Sequence, residues 1–348
     1  ILRLNASGVR QWSTYYGGSS TECNSAAGGI AVDASGNSVI GCSTESTDFP
    51  VSTGAFQNAK ASSRDGCVLK LSSSGIRQWA TYYGGDSDDF FARIALDSNG
   101  DCALVGASSS TNFPVLNAYQ SSRAGTGNGR DAVVVKLNSS GQRVWATYLG
   151  GSGNGERGCG VTTLSDGSVA VTGNTNSTDF PVANAFQSAS GGDYDTFLAR
   201  FTSSGTLLWS TYFGGLYYDE QPYGISRDAS NNIVFGGRTG SPGLATSGAF
   251  QTIISGVPPA EQDGFIVKFS PSGSRIWCTY YGGTSGYGGE QLYSIEVGSN
   301  NNIYFAGGVG NTNLPVLNAF QSVYGGGNSD GFTGCLAGDG STLLWATY

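Results

Sequence analysis

One strand-like phrase recurs six times along the chain. Residues 10–18 read RQWSTYYGG, and the words return as RQWATYYGG at 77–85, RVWATYLGG at 143–151, LLWSTYFGG at 207–215, RIWCTYYGG at 275–283 and LLWATY at 343–348. The tryptophans mark the period: Trp12, Trp79, Trp145, Trp209, Trp277 and Trp345 are separated by 67, 66, 64, 68 and 68 residues. A self-similar period of this size means an array of supersecondary units, none of which buries its faces alone. Five full repeats lie between the first marker and the last.

Within one repeat, four short segments carry the β-branched and aromatic residues of strands: GGIAVDA at 28–34, NSVIGCS at 37–43, GCVLKLS at 66–72 and RQWATYY at 77–83. We label them a, b, c and d. The a–b and c–d links, Asp33-Ala34-Ser35-Gly36-Asn37 and Ser72-Ser73-Ser74-Gly75, are tight-turn sequences with glycine where φ is positive. No segment sustains a 3.6-residue apolar period, so helices are not expected. Four antiparallel strands repeated radially predict an all-β fold, a β-propeller of four-stranded antiparallel blades. A β-helix would use shorter parallel coils, and a string of sandwiches would need more strands per unit. The expected plan is a single propeller domain over 1–348, with repeats at about 18–83, 84–149, 150–213, 214–281 and 282–348. An extra N-terminal β-hairpin, residues 1–17, is a c–d pair without its a and b. Three placements for it are open: the native chain extends further, the hairpin packs beside the ring, or it completes a blade of a neighbouring subunit by strand donation.

The phrases W-[SA]-T-Y-Y-G-G and G-I-A-V-D-x-S-G-N resemble the SBBP repeat, a family named for a seven-bladed β-propeller. So does Ser46-Thr47-Asp48-Phe49-Pro50 followed by Ala55-Phe56-Gln57, with copies at 110–120 and 177–187. The fourth and fifth copies depart, with Gly240-Ser241-Pro242 and Asn313-Leu314-Pro315. The resemblance covers essentially the whole chain. It implies a propeller in a secreted or surface-exposed bacterial or archaeal protein, and it is silent on activity. Five repeats and a hairpin depart from seven blades.

Composition narrows the chemistry. Histidine is absent, which removes Ser-His-Asp and Cys-His catalysis and His-ligated zinc. The net charge is −8 and no Lys/Arg cluster exists, so nucleic acid is not an expected partner. No apolar run reaches the length of a membrane span. Charged residues make up 12% of the chain, and Ser, Thr, Asn, Tyr and 56 glycines fill the rest of the surface, as expected for an extracellular or cell-surface protein. The seven cysteines (Cys23, Cys42, Cys67, Cys102, Cys159, Cys278 and Cys335) form no CxxC pair and occupy different repeat positions. They read as small buried apolar residues, with one or two disulfides as the alternative.

In an antiparallel blade the long b–c and d–a loops share one face, where a site is expected. Each d–a loop carries acid after its Gly-Gly: Glu22; Asp86, Asp88 and Asp89; Glu156; Asp219 and Glu220; Glu290. Oxygen ligands at flexible spacing suit Ca²⁺, so these residues are the metal candidates, against the plainer reading that each satisfies backbone donors in its own loop. A second series, Asp65, Asp131, Asp195, Asp263 and Asp330, precedes strand c and reads as local capping of backbone N–H groups. Asn5, Asn138 and Asn176 match the glycosylation pattern. The Phe-Pro and Ala-Phe-Gln elements are expected to pin the b–c insert to its blade, with sugar stacking as the rival use. The repeated tryptophans are expected between blades.

Evenly repeated blades suit a non-enzymatic scaffold, adhesin or filament subunit, with copies of the chain itself as partner. The alternatives are a lectin for surface glycans and a carbohydrate-active enzyme. An enzyme would need two acids in unequal environments, for which Glu156, Asp219 and Glu220 are the only cluster to consider.

Overall fold

The structure, a computed structural model, describes the whole chain except residues 24–27, 128, 217–219, 256–261 and 285–288. The protein is an all-β propeller-type fold, and no described residue is helical. A hairpin comes first, β1 (Leu2–Leu4) and β2 (Arg10–Ser13). Blade 1 is β3 (Gly29–Val32), β4 (Ser38–Thr44), β5 (Asp65–Leu71) and β6 (Arg77–Tyr83). Blade 2 is β7 (Asp89–Leu96), β8 (Cys102–Ser108), β9 (Asp131–Leu137) and β10 (Arg143–Leu149). Blade 3 is β11 (Arg157–Thr163), β12 (Val169–Thr175), β13 (Asp195–Phe201) and β14 (Leu207–Phe213). Blade 4 is β15 (Gln221–Arg227), β16 (Ile233–Thr239), β17 (Asp263–Phe269) and β18 (Arg275–Tyr281). Blade 5 is β19 (Gln291–Val297), β20 (Ile303–Val309), β21 (Asp330–Leu336) and β22 (Leu343–Thr347).

Each blade is one four-stranded sheet with its strands hydrogen-bonded in chain order, and β1–β2 is a sheet of its own. Tight turns set the registers. In the c–d turn of blade 2 the Gly141 amide donates to the Asn138 carbonyl at 2.9 Å, and the Asn138 side chain accepts from the Ser140 and Gln142 amides. Ser72, Thr202 and Ser270 hold the matching turns with a hydroxyl. That register sets a basic residue of strand c opposite the tryptophan of strand d: Arg3 with Trp12, Lys70 with Trp79, Lys136 with Trp145, Arg200 with Trp209 and Lys268 with Trp277. Blade 5 alone breaks the series, pairing Cys335 with Trp345.

The chain divides into two compact units. The first comprises residues 1–150, 156–169 and 202–206, the second residues 151–155, 170–201 and 207–348. The first has a core in which Val39, Val68 and Tyr83 of blade 1 meet Phe91, Leu104 and Val135 of blade 2. In the second, Val234, Ile266 and Tyr281 of blade 4 meet Ile295, Phe305 and Phe332 of blade 5. Core clusters made from two blades are why no blade stands alone.

A latch joins each blade to the next. In the first unit the Trp12 indole N–H donates to the Ser73 carbonyl at 2.9 Å, Trp79 to Ser139 at 2.9 Å and Trp145 to Ser203 at 3.0 Å. In the second, Trp209 donates to Pro271 at 2.8 Å. Each ring lies on the glycine two residues beyond that carbonyl, so closely that a Cβ on Gly75, Gly141, Gly205 or Gly273 would sit within 2.9 Å of it. Trp277 covers Gly340 in the same way, with its indole nitrogen unbonded. Four of the five paired basic residues reach the same turns, Arg3 to Ser73, Lys70 to Ser139, Arg200 to Pro271 and Lys268 to Gly338, whereas Lys136 donates to the Gly167 carbonyl. The N-terminal hairpin therefore sits on blade 1 as blade 1 sits on blade 2, in the position of a preceding half-blade. Tyr16 strengthens that seat with an edge-on contact to Phe49 and a bond from its hydroxyl to the Pro50 carbonyl.

Candidate functional face: the Gly-Gly clamps

The long loops converge on the Gly-Gly that follows each strand d. In blade 1 the Gln57 amide group spans the insert, donating to Asp65 and accepting from the Gly84 amide, both at 2.9 Å. Gln120 does the same between Asp131 and Gly150, and Gln251 between Asp263 and Gly282. The acids before strand c also collect backbone donors, as Asp65 does from Ala61 and Ser62. The tyrosine at the end of strand d ties down the insert from beneath. The Tyr148 hydroxyl donates to the Ser110 carbonyl and accepts from the Phe113 amide, and Tyr82, Tyr212 and Tyr280 repeat both bonds. The S-T-D-F-P, A-F-Q and Y-G-G words are thus parts of one internal clamp.

The d–a acids fall into two groups. One acid per loop is drawn into the clamp. Asp89 accepts from the Gly85 amide at 2.6 Å and from the Ser110 hydroxyl at 2.8 Å. Glu22 accepts from the Gly18 amide and the Thr44 and Ser46 hydroxyls. Glu220 accepts from Thr239 and from the Gly215 amide, and Glu290 from the Gly283 amide and Asn311. Asp89, Glu156, Glu220 and Glu290 are buried, whereas Glu22 is half-buried. The others lie further out: Asp86 caps Thr111, and Asp88 pairs with Arg64 at 3.2 Å. Asp219 lies outside the described residues. Among the described residues no three acid or cysteine side chains gather as a metal-binding group. The sequence shows at least one acid in each loop, not that the oxygens of one of them turn inward onto Gly-Gly amides. The signal was there in the glycines, since a Cβ at Gly84 would lie within 2.8 Å of both Asp65 and Asp89.

Burial dominates the electrostatics. It pushes the Asp89 carboxyl up to about 7, Glu220 to about 8 and Glu290 to about 7, and the neighbouring acids Asp65, Asp195 and Asp263 add to the respective effects. Asp131 and Asp195 are raised for the same main reason. Glu220 is therefore largely protonated at neutral pH, and Asp89 and Glu290 titrate close to it.

The glycosylation candidates have structural work as well. Asn5 and Asn138 each spend the side-chain oxygen on a c–d turn, and Asn176 is half-buried against Gly153. The insert aromatics meet the following blade through an arginine: Phe56 stacks on Tyr83 of its own blade at 4.9 Å under the Arg143 guanidinium of blade 2 at 4.8 Å, and Phe186 sits beneath Arg275 of blade 4 at 4.9 Å. Cys42 and Cys67 face each other across β4 and β5 with sulfurs 3.3 Å apart, and all seven cysteines are free thiols.

Exposure of large apolar side chains differs between matching strands. Ile30 and Val32 on β3 are 58% and 60% exposed, where the matching Ile94 on β7 is 8% exposed. In the second unit Tyr304 on β20 is 38% exposed, although the matching Val234 is fully buried. Phe320, the insert aromatic of blade 5, is 99% exposed, and Trp345 is half-buried, as Trp12 and Trp79 are.

No known family profile matches the sequence, and no curated protein does. Solved structures of similar trace include a polysaccharide lyase of a family acting on ulvan (TM-score 0.46, 9% identity, covering 94% of this chain and 73% of that one). A protein of unknown function from Dyadobacter fermentans gives a TM-score of 0.44 at 9% identity, covering 94% and 83%. A gluconolactonase from Xanthomonas campestris gives 0.39 at 12% identity, covering 94% and 76%. At these values no chemistry passes from them to this chain. No described helix is long and apolar enough to cross a membrane, which says nothing of strands.

Proposed function

We propose that this protein is a non-enzymatic extracellular propeller of the SBBP-repeat type, serving as a surface scaffold or adhesin and assembling with copies of itself into a filament. The observation that carries the reading is exposed apolar surface, Ile30 and Val32 on β3 and Tyr304 and Phe320 in blade 5. Exposed apolar patches rimmed by polar residues mark interaction surfaces. The clamp chemistry supports the absence of catalysis, because the repeated acids and tyrosines are spent on backbone groups and sealed from solvent. The Ser-, Thr- and Asn-rich surface with few charges supports an extracellular setting. Ca²⁺ bound by the outer acids Asp86 and Asp88 is the form in which metal would contribute, stiffening loops rather than reacting.

Electron microscopy of the purified protein, with and without a calcium chelator, tests this. Filaments whose repeat matches one subunit are expected. Dissolution by chelator would add the acidic loops to the joint, and isolated particles under both conditions would remove the filament reading. Multivalent binding on a glycan array by such isolated particles would favour the lectin alternative.

A further inference from the structure

The blades repeat one another closely, and the first unit breaks the repeat at one place on its long-loop face. Blades 1 and 2 carry an arginine immediately before the strand-c acid, Arg64 and Arg130, where blades 3, 4 and 5 carry Tyr194, Gln262 and Ser329. Blade 3 carries Arg157 immediately after its clamp acid, where the other loops carry Cys23, Phe90, Gln221 and Gln291. Each substitution alone is unremarkable in sequence. The fold brings three of these positions to a fourth.

The guanidinium carbons of Arg64, Arg130 and Arg157 lie 5.5, 5.9 and 5.2 Å from the centroid of the Phe90 ring. All four residues belong to the first compact unit. Phe90 is buried and the three arginines are half-buried. An aromatic ring attracts cations but carries no charge to neutralise them. One of the three has a counter-ion: Arg64 pairs with Asp88 at 3.2 Å, and the other Asp88 oxygen accepts from the Ser63 hydroxyl at 2.6 Å. Arg130 and Arg157 make no ion pair or side-chain hydrogen bond with another described residue, the adjacent Glu156 included. The Nε donors of Arg64 and Arg157 are buried and unbonded. The nearby acids Asp65, Asp89 and Asp131 turn instead to the clamps, where they accept from the Ala61, Gly85 and Ala124 amides. A chain of net charge −8 thus gathers uncompensated positive charge at one point.

We propose that the arginine cluster around Phe90 is a binding site for a dianionic oxyanion: free phosphate or sulfate, or the terminal phosphate of a sugar monoester. The charge sets the class. Three guanidiniums and one paired carboxylate leave two positive charges, which a dianion answers and a single carboxylate does not. Geometry agrees, because guanidinium forks match the oxygens of such groups and hold them with charge-assisted hydrogen bonds. Partial burial strengthens the attraction, since less water stands between the charges. The ligand would join residues of blades 1, 2 and 3, so its binding should also raise the melting temperature of the protein. The site lies among the long loops and makes no use of the sealed acids of the clamps.

Isothermal titration calorimetry on the whole chain at low ionic strength tests the site. The probes are sodium sulfate, inorganic phosphate and glucose 6-phosphate at about pH 8, where both phosphates are dianions, with acetate as the monoanion. One dianion per chain should bind, with acetate weaker by about tenfold or more. Arg130→Gln and Arg157→Gln should each weaken dianion binding by about tenfold or more, as loss of a hydrogen bond to a charged group does. Arg143→Gln, which removes the arginine stacked on Phe56 rather than on Phe90, should leave binding unchanged. Circular dichroism and thermal melting confirm that the variants fold. Tighter binding of the sugar ester than of inorganic phosphate would assign the ligand to a phosphorylated glycan, and equal binding would assign it to the free ion; both support the site. Absence of dianion binding by the folded wild type, equal binding of acetate, or binding that survives both arginine substitutions would overturn it.

Discussion

Replacing Gly141 by asparagine would press directly on the latch between blades 1 and 2, and the same change at Gly8 supplies the control. Both glycines have positive φ, which asparagine adopts with little strain, so the backbone cost is small and common to both. They differ in what the new Cβ meets. At Gly141 it would fall 2.7 Å from Cδ2 of Trp79, against an ordinary carbon contact of about 3.5–4.0 Å. The half-buried indole must withdraw by about 1 Å, an overpacking cost of about 1–3 kcal/mol. Withdrawal also breaks the 2.9 Å bond to the Ser139 carbonyl, worth about 0.5–1.5 kcal/mol. Gly141→Asn should therefore cost about 2–4 kcal/mol, read as a fall of about 4–10 °C in the melting temperature. Gly8→Asn, measured in dilute solution, should cost under about 0.5 kcal/mol. Melting followed by circular dichroism, with tryptophan emission as a second probe, separates the two. Equal losses at both positions would refute the latch.

Three further outcomes follow from the clamps and the core. Asp89, Glu220 and Glu290 keep their protons in the folded chain up to about 7, 8 and 7, while the unfolded chain releases them near about 4. The melting temperature should therefore fall as pH rises from about 4 towards 8 and then level off, and Asp89→Asn should flatten that slope. Lys136 and Asp97 form a 2.9 Å ion pair with both side chains nearly sealed from water, so Lys136→Met should lower stability by about 3–5 kcal/mol in denaturant titration. Under native conditions a thiol reagent should label Cys23 first and slowly, because its hydrogen bond with Cys42 and then burial raise its pKa, while Cys42, Cys67, Cys102, Cys278 and Cys335 should react only on unfolding, as read by mass spectrometry.

The strand content and blade plan were legible because they are written locally. Alternating apolar residues between glycine turns define β3 through β6, and the tryptophan spacing copies the unit along the chain. The site was less legible because its meaning lies in pairings across long separations. Asp65 and Asp89 look like two surface acids until Gly84 is placed between them, and Gln57 looks like a polar loop residue until it spans Asp65 and the Gly84 amide. The same holds for the tryptophans. Their sequence phrase foretold contact between blades but not its target, a turn glycine about sixty residues further on. Phe56 and Phe320 are near-identical in their local words, yet Phe56 stacks on Tyr83 and Phe320 is bare.

The central proposal is that copies of this chain assemble with one another. Sedimentation velocity of the wild-type protein over a range of concentrations tests it most directly. The account predicts association that grows with concentration. A single monomeric species at every concentration would contradict it.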